Sequence, residues 1–299
     1  MKSQKITVIG SINMDIVTKS SIIPKVGETV MGDSFFTIPG GKGANQAVAA
    51  ARLGADVTLI GCVGEDAFGK ELTEHLGKQG IMIDNVKPVT HSSTGIASIT
   101  LSDGDNSIIV VPGANYEVTP EVVKEHEHII EESDVVLLQL EIPLESVIEA
   151  VNLAKKHHKT VILNPAPIQP LPKELLQQVD YLTPNEHEQQ LLLSANDLID
   201  EELEQIKTKC IVTQGSKGVT IYKNEEKLIS GFKVEAIDTT GAGDSFNGAL
   251  AVSLSNGASL EDACQFANAV GALSVTKLGA QSGMPTIQEV EAFLSAQRG

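Results

Sequence analysis

Short runs of aliphatic and β-branched residues alternate along this chain with longer segments whose apolar positions recur at helical spacing. The first run, Ile6 to Ile9, ends at Gly10-Ser11 and has the continuous apolar character of a central parallel strand, with Asn13 and Asp15 just past its carboxyl end. Val57 to Cys62, Val135 to Leu140, Thr160 to Leu163 and Tyr181-Leu182-Thr183 repeat that type. Between them the spacing predicts helices over Ala44–Leu53, Ala67–Gln79, Pro120–Ile130, Leu144–Lys156 and Leu175–Val179, the first two closed by Gly54 and Gly80. Two further helices, Gly241–Leu254 and Leu260–Leu273, stand close together before a short final one over Ile287–Leu294. This rhythm predicts an α/β fold of three layers, a mostly parallel central sheet flanked by helices, in one domain over residues 1–299. Cys210 to Thr213 and Val219 to Tyr222, joined by a glycine turn, read as an antiparallel extension of that sheet.

Two stretches break the rhythm. From Lys25 to Ile38 the pattern weakens into short strand pieces among glycines, and Thr94–Leu101 with Ser107–Val111 forms a hairpin around Ser102-Asp103-Gly104-Asp105-Asn106. Segments 16–40 and 90–112 are therefore expected to build one small antiparallel β-sheet, placed as a lid over a pocket or as a plain sheet extension. No tandem repeat or low-complexity linker interrupts the chain.

Composition narrows the function. The 299 residues carry 39 acidic against 22 basic side chains, a net charge of −17, so the average field repels nucleic acid and anionic lipid. With no Trp and 3% aromatic residues there is no stacking platform either, and small-molecule chemistry becomes the expectation. Cys62, Cys210 and Cys264 are an odd, scattered set, read as reduced and buried. The start of the chain has neither a signal-peptide stretch nor a cleavage site, and no segment has 18 consecutive apolar residues. A cytoplasmic protein free of membranes is expected.

Chemistry concentrates where glycines precede helices. In Asp238-Thr239-Thr240-Gly241-Ala242-Gly243-Asp244, the glycines let backbone approach a ligand, and the N–H groups of a starting helix suit an anion such as a phosphoryl group in transit. Asp244, four residues after a Thr240 N-cap and kept ionised by the helix end, is placed to accept a proton from an attacking hydroxyl. Thr240 and Asp244 are also what an ordinary helix start carries. A second cluster, Pro39-Gly40-Gly41-Lys42-Gly43-Ala44-Asn45, again precedes a helix. There Asn45 can pair with a hydroxyl, while Lys42 either steadies negative charge or is a solvated loop lysine. With Asn13, Asp15 and Glu141 at strand ends, the set suits a polyhydroxylated ligand, although Asp15 and Glu141 also fit plain turn carboxylates.

Other patterns fail. Gly64 to Glu71 meets G-x-x-x-x-G-K but puts Glu71 where a P-loop needs Ser or Thr, and Gly241-x-Gly243-x-x-Phe246 misses the dinucleotide fingerprint. The pairs His126/His128 and His157/His158 lie on polar faces without metal-ligand spacing, and there is no G-x-S-x-G elbow.

The pair of glycine motifs, in this order and with Gly10-Ser11-Ile12-Asn13-Met14-Asp15, Leu163-Asn164-Pro165-Ala166-Pro167 and Thr183-Pro184-Asn185-Glu186, resembles the PfkB-type carbohydrate kinase family along essentially the whole chain. The last three sharpen the resemblance towards its ribokinase branch. It implies transfer of the ATP γ-phosphoryl to the 5-hydroxyl of D-ribose. A kinase for deoxyribose, fructose or a nucleoside is the alternative, and a sugar-binding regulator without turnover a more distant one. By resemblance, Asn13, Asp15, Gly41, Lys42, Asn45 and Glu141 hold the sugar, Asp244 is the base, and Gly241, Ala242 and Gly243 form the anion hole. Asn185, Thr213, Gly215, Ser216, Gly218, Gly243 and Asn268 line the ATP site, with Mg2+ held largely by phosphates and water, through Asn185-Glu186. A monovalent cation, expected to be K+, falls to Asp238, Thr240, Ser274, Lys277, Gly279 and Gly283, several through carbonyls. Gly283 departs from relatives that carry Ser there, and Asn268 stands where some carry His. The resemblance also implies a homodimer joined through the lid.

Overall fold

The computed structural model describes residues 4–102, 105–194, 198–223 and 225–297. Within the expected hairpin turn, Asp103 and Gly104 lie outside the described residues. The strands are β1 (Lys5–Ile9), β2 (Asn13–Lys19), β3 (Ser34–Gly40), β4 (Asp56–Gly64), β5 (Val86–Val89), β6 (Gly95–Ser102) and β7 (Asp105–Val111). They continue with β8 (Val135–Leu138), β9 (Thr160–Leu163), β10 (Tyr181–Leu182), β11 (Ile211–Thr213), β12 (Gly218–Ile221) and β13 (Lys227–Ser230).

Six strands form the main sheet in the order β10-β9-β8-β1-β4-β5, every pairing parallel. Successive side chains of a strand point to opposite faces, and the core divides accordingly. Val8, Val135 and Leu137 join one buried cluster, Ile9, Val136 and Leu138 the other. The helices Lys42–Arg52, Ala242–Ser255 and Leu260–Ser274 cover the first face; Pro120–Glu125, Leu144–Lys156 and Lys173–Gln178 cover the second. The result is the three-layer architecture expected from the alternation. The antiparallel trio β11-β12-β13 continues the sheet through parallel bridges Leu182↔Cys210 and Asn185↔Thr213.

Some boundaries differ. The Pro120–Ile130 helix is two pieces, Pro120–Glu125 and Glu127–Glu132, because His126 turns off the helical path and its ring bonds back to the Val122 carbonyl at 2.7 Å. The strand expected to Leu140 stops at Leu138. Strand β5 and the helices Glu186–Ser194 and Asp200–Lys207 carry patterns too short or too polar to have been read as elements. Among the described residues no helix is long and apolar enough to cross a membrane.

A second sheet, β3-β2-β6-β7, draws on both irregular stretches. It is not wholly antiparallel. Its middle pair, β2 with β6, is parallel from Asn13↔Gly95 to Lys19↔Leu101, because both strands leave the main sheet from the carboxyl edge, after β1 and after β5. Asn13 and Asp15, just past the carboxyl end of β1, open β2, and residues 25–32 are turns and coil where strand pieces were expected.

One close helix crossing matters for the site. The helix after Gly41 is built of alanines, and Gly248 on the Ala242–Ser255 helix packs against it so tightly that a Cβ there would lie 2.7 Å from the Ala49 Cβ and 2.8 Å from the Gln46 carbonyl. Asp244, one turn before Gly248 and on the same face, is thereby brought against Asn45 and Gln46.

Candidate active site

The Asp238–Asp244 turn ends differently from the simple capping picture. Gly241 is the N-cap, with φ 75°, and a Cβ on it would meet the Ala280 Cβ at 2.7 Å, so neither its conformation nor its packing admits a side chain. Thr240 is exposed and its N–H donates to Asp238 Oδ1 at 2.9 Å; it is not the cap. The helix begins at Ala242, and outside its own helix backbone and chain neighbours none of the described residues lies within 4 Å of where a Gly243 Cβ would be.

Asp244 is buried in the first turn. Asn45 Nδ2 donates to its Oδ2 at 2.9 Å and Gln46 Nε2 to its Oδ1 at 3.0 Å. Burial raises its pKa, which Lys42 and the two amide donors partly oppose. The helix end was expected to hold this carboxyl charged; desolvation outweighs it, giving a carboxylate with more appetite for a proton than an exposed one.

The sugar-side candidates gather around it. Gly41, at φ 88°, lets the chain pass so close to β2 that a Cβ would lie 2.7 Å from the Asn13 N. Gly40 packs on Asp15, whose carboxyl a Cβ would meet at 2.5 Å. Asn13 Oδ1 accepts from Asn115 Nδ2 at 2.7 Å, so the end left for a ligand is a donor. Burial, then the charges of Glu141 and Asp244, push Asp15 up to about 7, against the pull of Lys42. Glu141 Oε2 accepts from the Ser11 hydroxyl at 2.5 Å and from the Lys42 N–H at 3.0 Å, tying the helix start to the end of β1. Lys42 is half-buried, with its charge influenced by several acids. Burial works to lower its pKa, but Asp244, Glu141, Glu188 and Asp15 outweigh it and raise it.

On the other side of Asp244 two cavities join. One of about 180 Å³ is lined by Lys42, Asn185, Thr213 and Gly241 to Asp244; the other, of about 510 Å³, by Thr213, Gly215, Ser216, Gly218, Ala242, Gly243 and Asn268. Thr213, Thr239, Ala242 and Gly243 line both, making one groove from the larger, mostly apolar space to the carboxylate. Asn268 borders it but spends its amide nitrogen on the Ile229 and Ser230 carbonyls, 3.0 and 3.3 Å away, bracing β13. Asn185 and Glu188 cap each other reciprocally at 2.8 Å, and Glu188 lines the smaller cavity. Glu186 turns elsewhere, accepting from Gln214 Nε2 at 3.1 Å, so Glu188 replaces it as the acid beside Asn185.

The expected cation positions also converge. Asp238 Oδ2 accepts from the Gly279 N–H at 2.8 Å; burial works against this carboxylate's charge, yet the bonds from Thr240 and Gly279 keep its pKa below the ordinary value. A Cβ on Gly283 would strike the Ser274 carbonyl oxygen, leaving a serine no room on this backbone, and would lie in ordinary contact, at 3.6 Å, with the Lys277 carbonyl oxygen. The Lys277 ammonium is turned to Glu289 at 3.0 Å, leaving only its carbonyl for such a role.

Ser11, Gln46, Asn115, Gln139 and Gln281 were not foreseen. Gln139 Nε2 donates to Gln46 Oε1 at 2.6 Å and Gln281 Nε2 to Asn45 Oδ1 at 2.9 Å. The available signal was Gln46 itself, a polar residue among alanines directly after Asn45.

On this three-layer α/β fold, a groove that ends on a buried carboxylate beside a glycine turn opening a helix, with a lysine near several acids, is an arrangement suited to phosphoryl transfer to a small molecule. The family model of the pfkB family carbohydrate kinases matches residues 3–287. The ribokinase of Bacillus subtilis is 49% identical over 98% of this chain and all of its own length. Among solved structures, Arabidopsis thaliana ribokinase complexed with ribose and ATP superposes with a TM-score of 0.89 at 37% identity, covering 98% of this chain and 99% of that one. The Thermotoga maritima ribokinase superposes with a TM-score of 0.89 at 42% identity and the same coverage. The chain belongs to the pfkB family of carbohydrate kinases.

Proposed function

We propose that this kinase transfers the γ-phosphoryl of ATP to the 5-hydroxyl of D-ribose, giving ribose 5-phosphate and ADP. The observation that carries the reading is Asp244, held by Asn45 and Gln46 at the meeting point of the hydroxyl-binding set and the groove. Ribose lies against Asn13, Asp15, Gly41, Lys42 and Asn45, with Glu141 securing the helix that presents Lys42. Asp244 takes the 5-hydroxyl proton as the new O–P bond forms and the bond from the γ-phosphorus to the bridging oxygen breaks; ADP leaves with that electron pair. The N–H groups of Gly241 and Gly243, that of Ala242 once it leaves its 3.3 Å bond to the Thr239 carbonyl, and the Lys42 ammonium stabilise charge on the phosphoryl oxygens. Thr213, Gly215, Ser216, Gly218 and Asn268 border the nucleoside. Mg2+ would be held largely by the phosphates and water, with Asn185 and Glu188, which line the smaller cavity, as the protein oxygens available to that shell, a donor set that suits a hard cation.

The carbonyls of Ser274 and Lys277, with Asp238, Thr240, Gly279 and the bare backbone of Gly283, fit a monovalent cation such as K+, whose ligands are oxygen dipoles. Such an ion would hold the Gly241 turn in place from behind.

The β3-β2-β6-β7 sheet acts as a lid. Register puts Val17, Phe36, Ile38, Ala97, Ile99, Ile108 and Val110 on the same face as Asp15. That apolar face closes over the sugar and keeps out water that would hydrolyse ATP. Its outer part is exposed, 51% at Ile108 and 48% at Val110, and is the surface through which a second copy would pair to form a homodimer.

The test is ADP release with ribose, deoxyribose, fructose and a nucleoside as acceptors. Ribose is expected to give the highest kcat/KM; ribose binding with ADP release at background would leave a sensor instead of an enzyme.

Ribose binding should also release protons. Asp15 titrates near 7 in the unliganded protein, and hydroxyls donating to it favour the carboxylate, so its pKa falls on binding. At pH 7 roughly half a proton per site is expected to leave, fading towards pH 9, and affinity should weaken as pH drops below 7. Calorimetry in buffers of different ionisation enthalpy reads this directly. Asp15→Asn should abolish the release, and an unchanged release in that variant would assign it to another group.

A further inference from the structure

Behind the sugar side of the site runs a chain of buried amides. Gln281, 3% exposed, lies in the short turn Ala280–Gly283 and donates through Nε2 to Asn45 Oδ1 at 2.9 Å; Asn45 in turn donates through Nδ2 to Asp244 Oδ2 at 2.9 Å. Each amide has one donor end and one acceptor end, so fixing one link fixes the next. Gln281 Oε1 is paired with His75 Nε2 at 2.8 Å, which makes that ring nitrogen the proton carrier and leaves Gln281 Nε2 to face Asn45. The Gln281 backbone is held as well: Arg52 Nη1 donates to its carbonyl at 2.6 Å and to that of Met284 at 2.8 Å, while Arg52 Nε donates to Gln79 Oε1 at 2.9 Å.

Reversing the Asn45 amide would set its oxygen against an Asp244 carboxylate oxygen, two acceptors with no proton between them, and would turn its nitrogen away from the base. With Oδ1 engaged by Gln281 and one Nδ2 hydrogen engaged by Asp244, Asn45 has a single N–H left for a sugar hydroxyl. Its direction is set from behind.

We propose that Gln281 is a positioning residue for phosphoryl transfer: braced by His75 and Arg52, it locks the Asn45 amide with its nitrogen towards Asp244 and the sugar, and so governs sugar affinity and the alignment of the base. This rests on the roles given above to Asn45 and Asp244. The same turn touches the glycine turn, since Ala280 is the neighbour a Gly241 Cβ would strike, and its Gly279 N–H is bonded to Asp238. Gln281 thus links that turn to the hydroxyl-binding side.

The experiment compares Gln281→Leu, Gln281→Glu and His75→Ala with the parent, each also combined with Asn45→Ala. Gln281→Leu keeps the bulk and removes both side-chain bonds. It is expected to raise the ribose KM about tenfold, the scale of one mis-set buried hydrogen bond, while the ATP KM stays within twofold. The acid limb of kcat/KM should move to higher pH, because the Asn45 donor that favours the Asp244 carboxylate is no longer held on it. Gln281→Glu should be worse than Gln281→Leu, since a carboxylate there draws Asn45 Nδ2 away from Asp244. His75→Ala, at a half-buried position, should move the same readings by less and covers the case in which Gln281→Leu does not fold. If Gln281 acts through Asn45, its substitution adds nothing further in the Asn45→Ala background. Parent-like ribose KM and pH profile in Gln281→Leu, or in His75→Ala if only that variant folds, would overturn the proposal, as would losses that add fully to those of Asn45→Ala. If Asn45→Ala alone leaves ribose kinetics untouched, the assignment of Asn45 to the sugar site fails first, and this inference with it.

Discussion

Asp244→Asn is expected to lower the rate of phosphoryl transfer by at least about 10²-fold while leaving a folded protein that still binds ribose and ADP. The amide keeps the shape of the carboxyl and can still accept from one of its two partners, Asn45 and Gln46, but it has no basicity to take the hydroxyl proton. Stability supplies the control. Burial raises the Asp244 pKa, which means that the fold disfavours the charged form relative to the unfolded chain. A neutral isostere escapes that penalty, so the thermal midpoint should hold or rise as activity collapses. Single-turnover measurement of ADP release, with calorimetric titration of ribose, separates the two effects. Turnover within tenfold of the parent would remove Asp244 as the base and move the search to Asp15, a half-buried carboxyl also within range of Lys42.

The ease with which different parts of this molecule could be read from its sequence follows the range of the forces involved. The main sheet was legible because Ile6 to Ile9 and Val161 to Leu163 are buried on both faces, and short, mostly apolar runs of that kind are local signals. The Gly241–Asp244 turn was legible for a similar reason: a glycine needed at positive φ, a helix start and an acid lie within four residues. The parallel pairing of β2 with β6 was not, since it joins residues about 80 apart and strand direction leaves no mark in composition. Thr240 shows the limit of a local rule. Threonine is a good N-cap, but the close approach of Ala280 to Gly241, set by residues forty positions away, puts the glycine there instead.

The amide network shows a different limit. Gln46, Gln139 and Gln281 look like surface residues in a sequence, since glutamine is seldom fully buried. Here they are buried and bonded to one another or to Asn45 and Asp244, with a single atom among them, Gln139 Oε1, lacking a partner. What makes them legible is the environment: Gln46 sits on the alanine face that Gly248 approaches, where any side chain must be buried and a polar one must be satisfied.

Two glycine substitutions should separate the scaffold from the chemistry more sharply than any change of a polar residue. At Gly43 a Cβ would lie 2.5 Å from the Ser11 N and 2.6 Å from the Gly10 carbonyl carbon, backbone atoms that cannot step aside. Gly43→Ala must push the Lys42–Arg52 helix off the end of β1, at a cost of about 1–3 kcal/mol, and it displaces Lys42, Asn45 and Gln46 together. Stability and activity should fall in parallel. At Gly243 the opposite holds: apart from its chain neighbours and its own helix backbone, no described atom lies within 4 Å of the new Cβ, the residue is helical, and alanine there should leave the thermal midpoint unchanged or stabilise the helix by up to about 1 kcal/mol. The space that the methyl group enters is the groove shared by both cavities, where the transferred phosphoryl group must pass. Gly243→Ala is therefore expected to lower kcat/KM for ATP by about 10²-fold or more, the scale of a blocked or displaced oxyanion donor. Thermal denaturation beside steady-state kinetics on both variants decides it. If Gly243→Ala turned over ATP at the parent rate, the phosphoryl group would have to travel on some path other than past this turn.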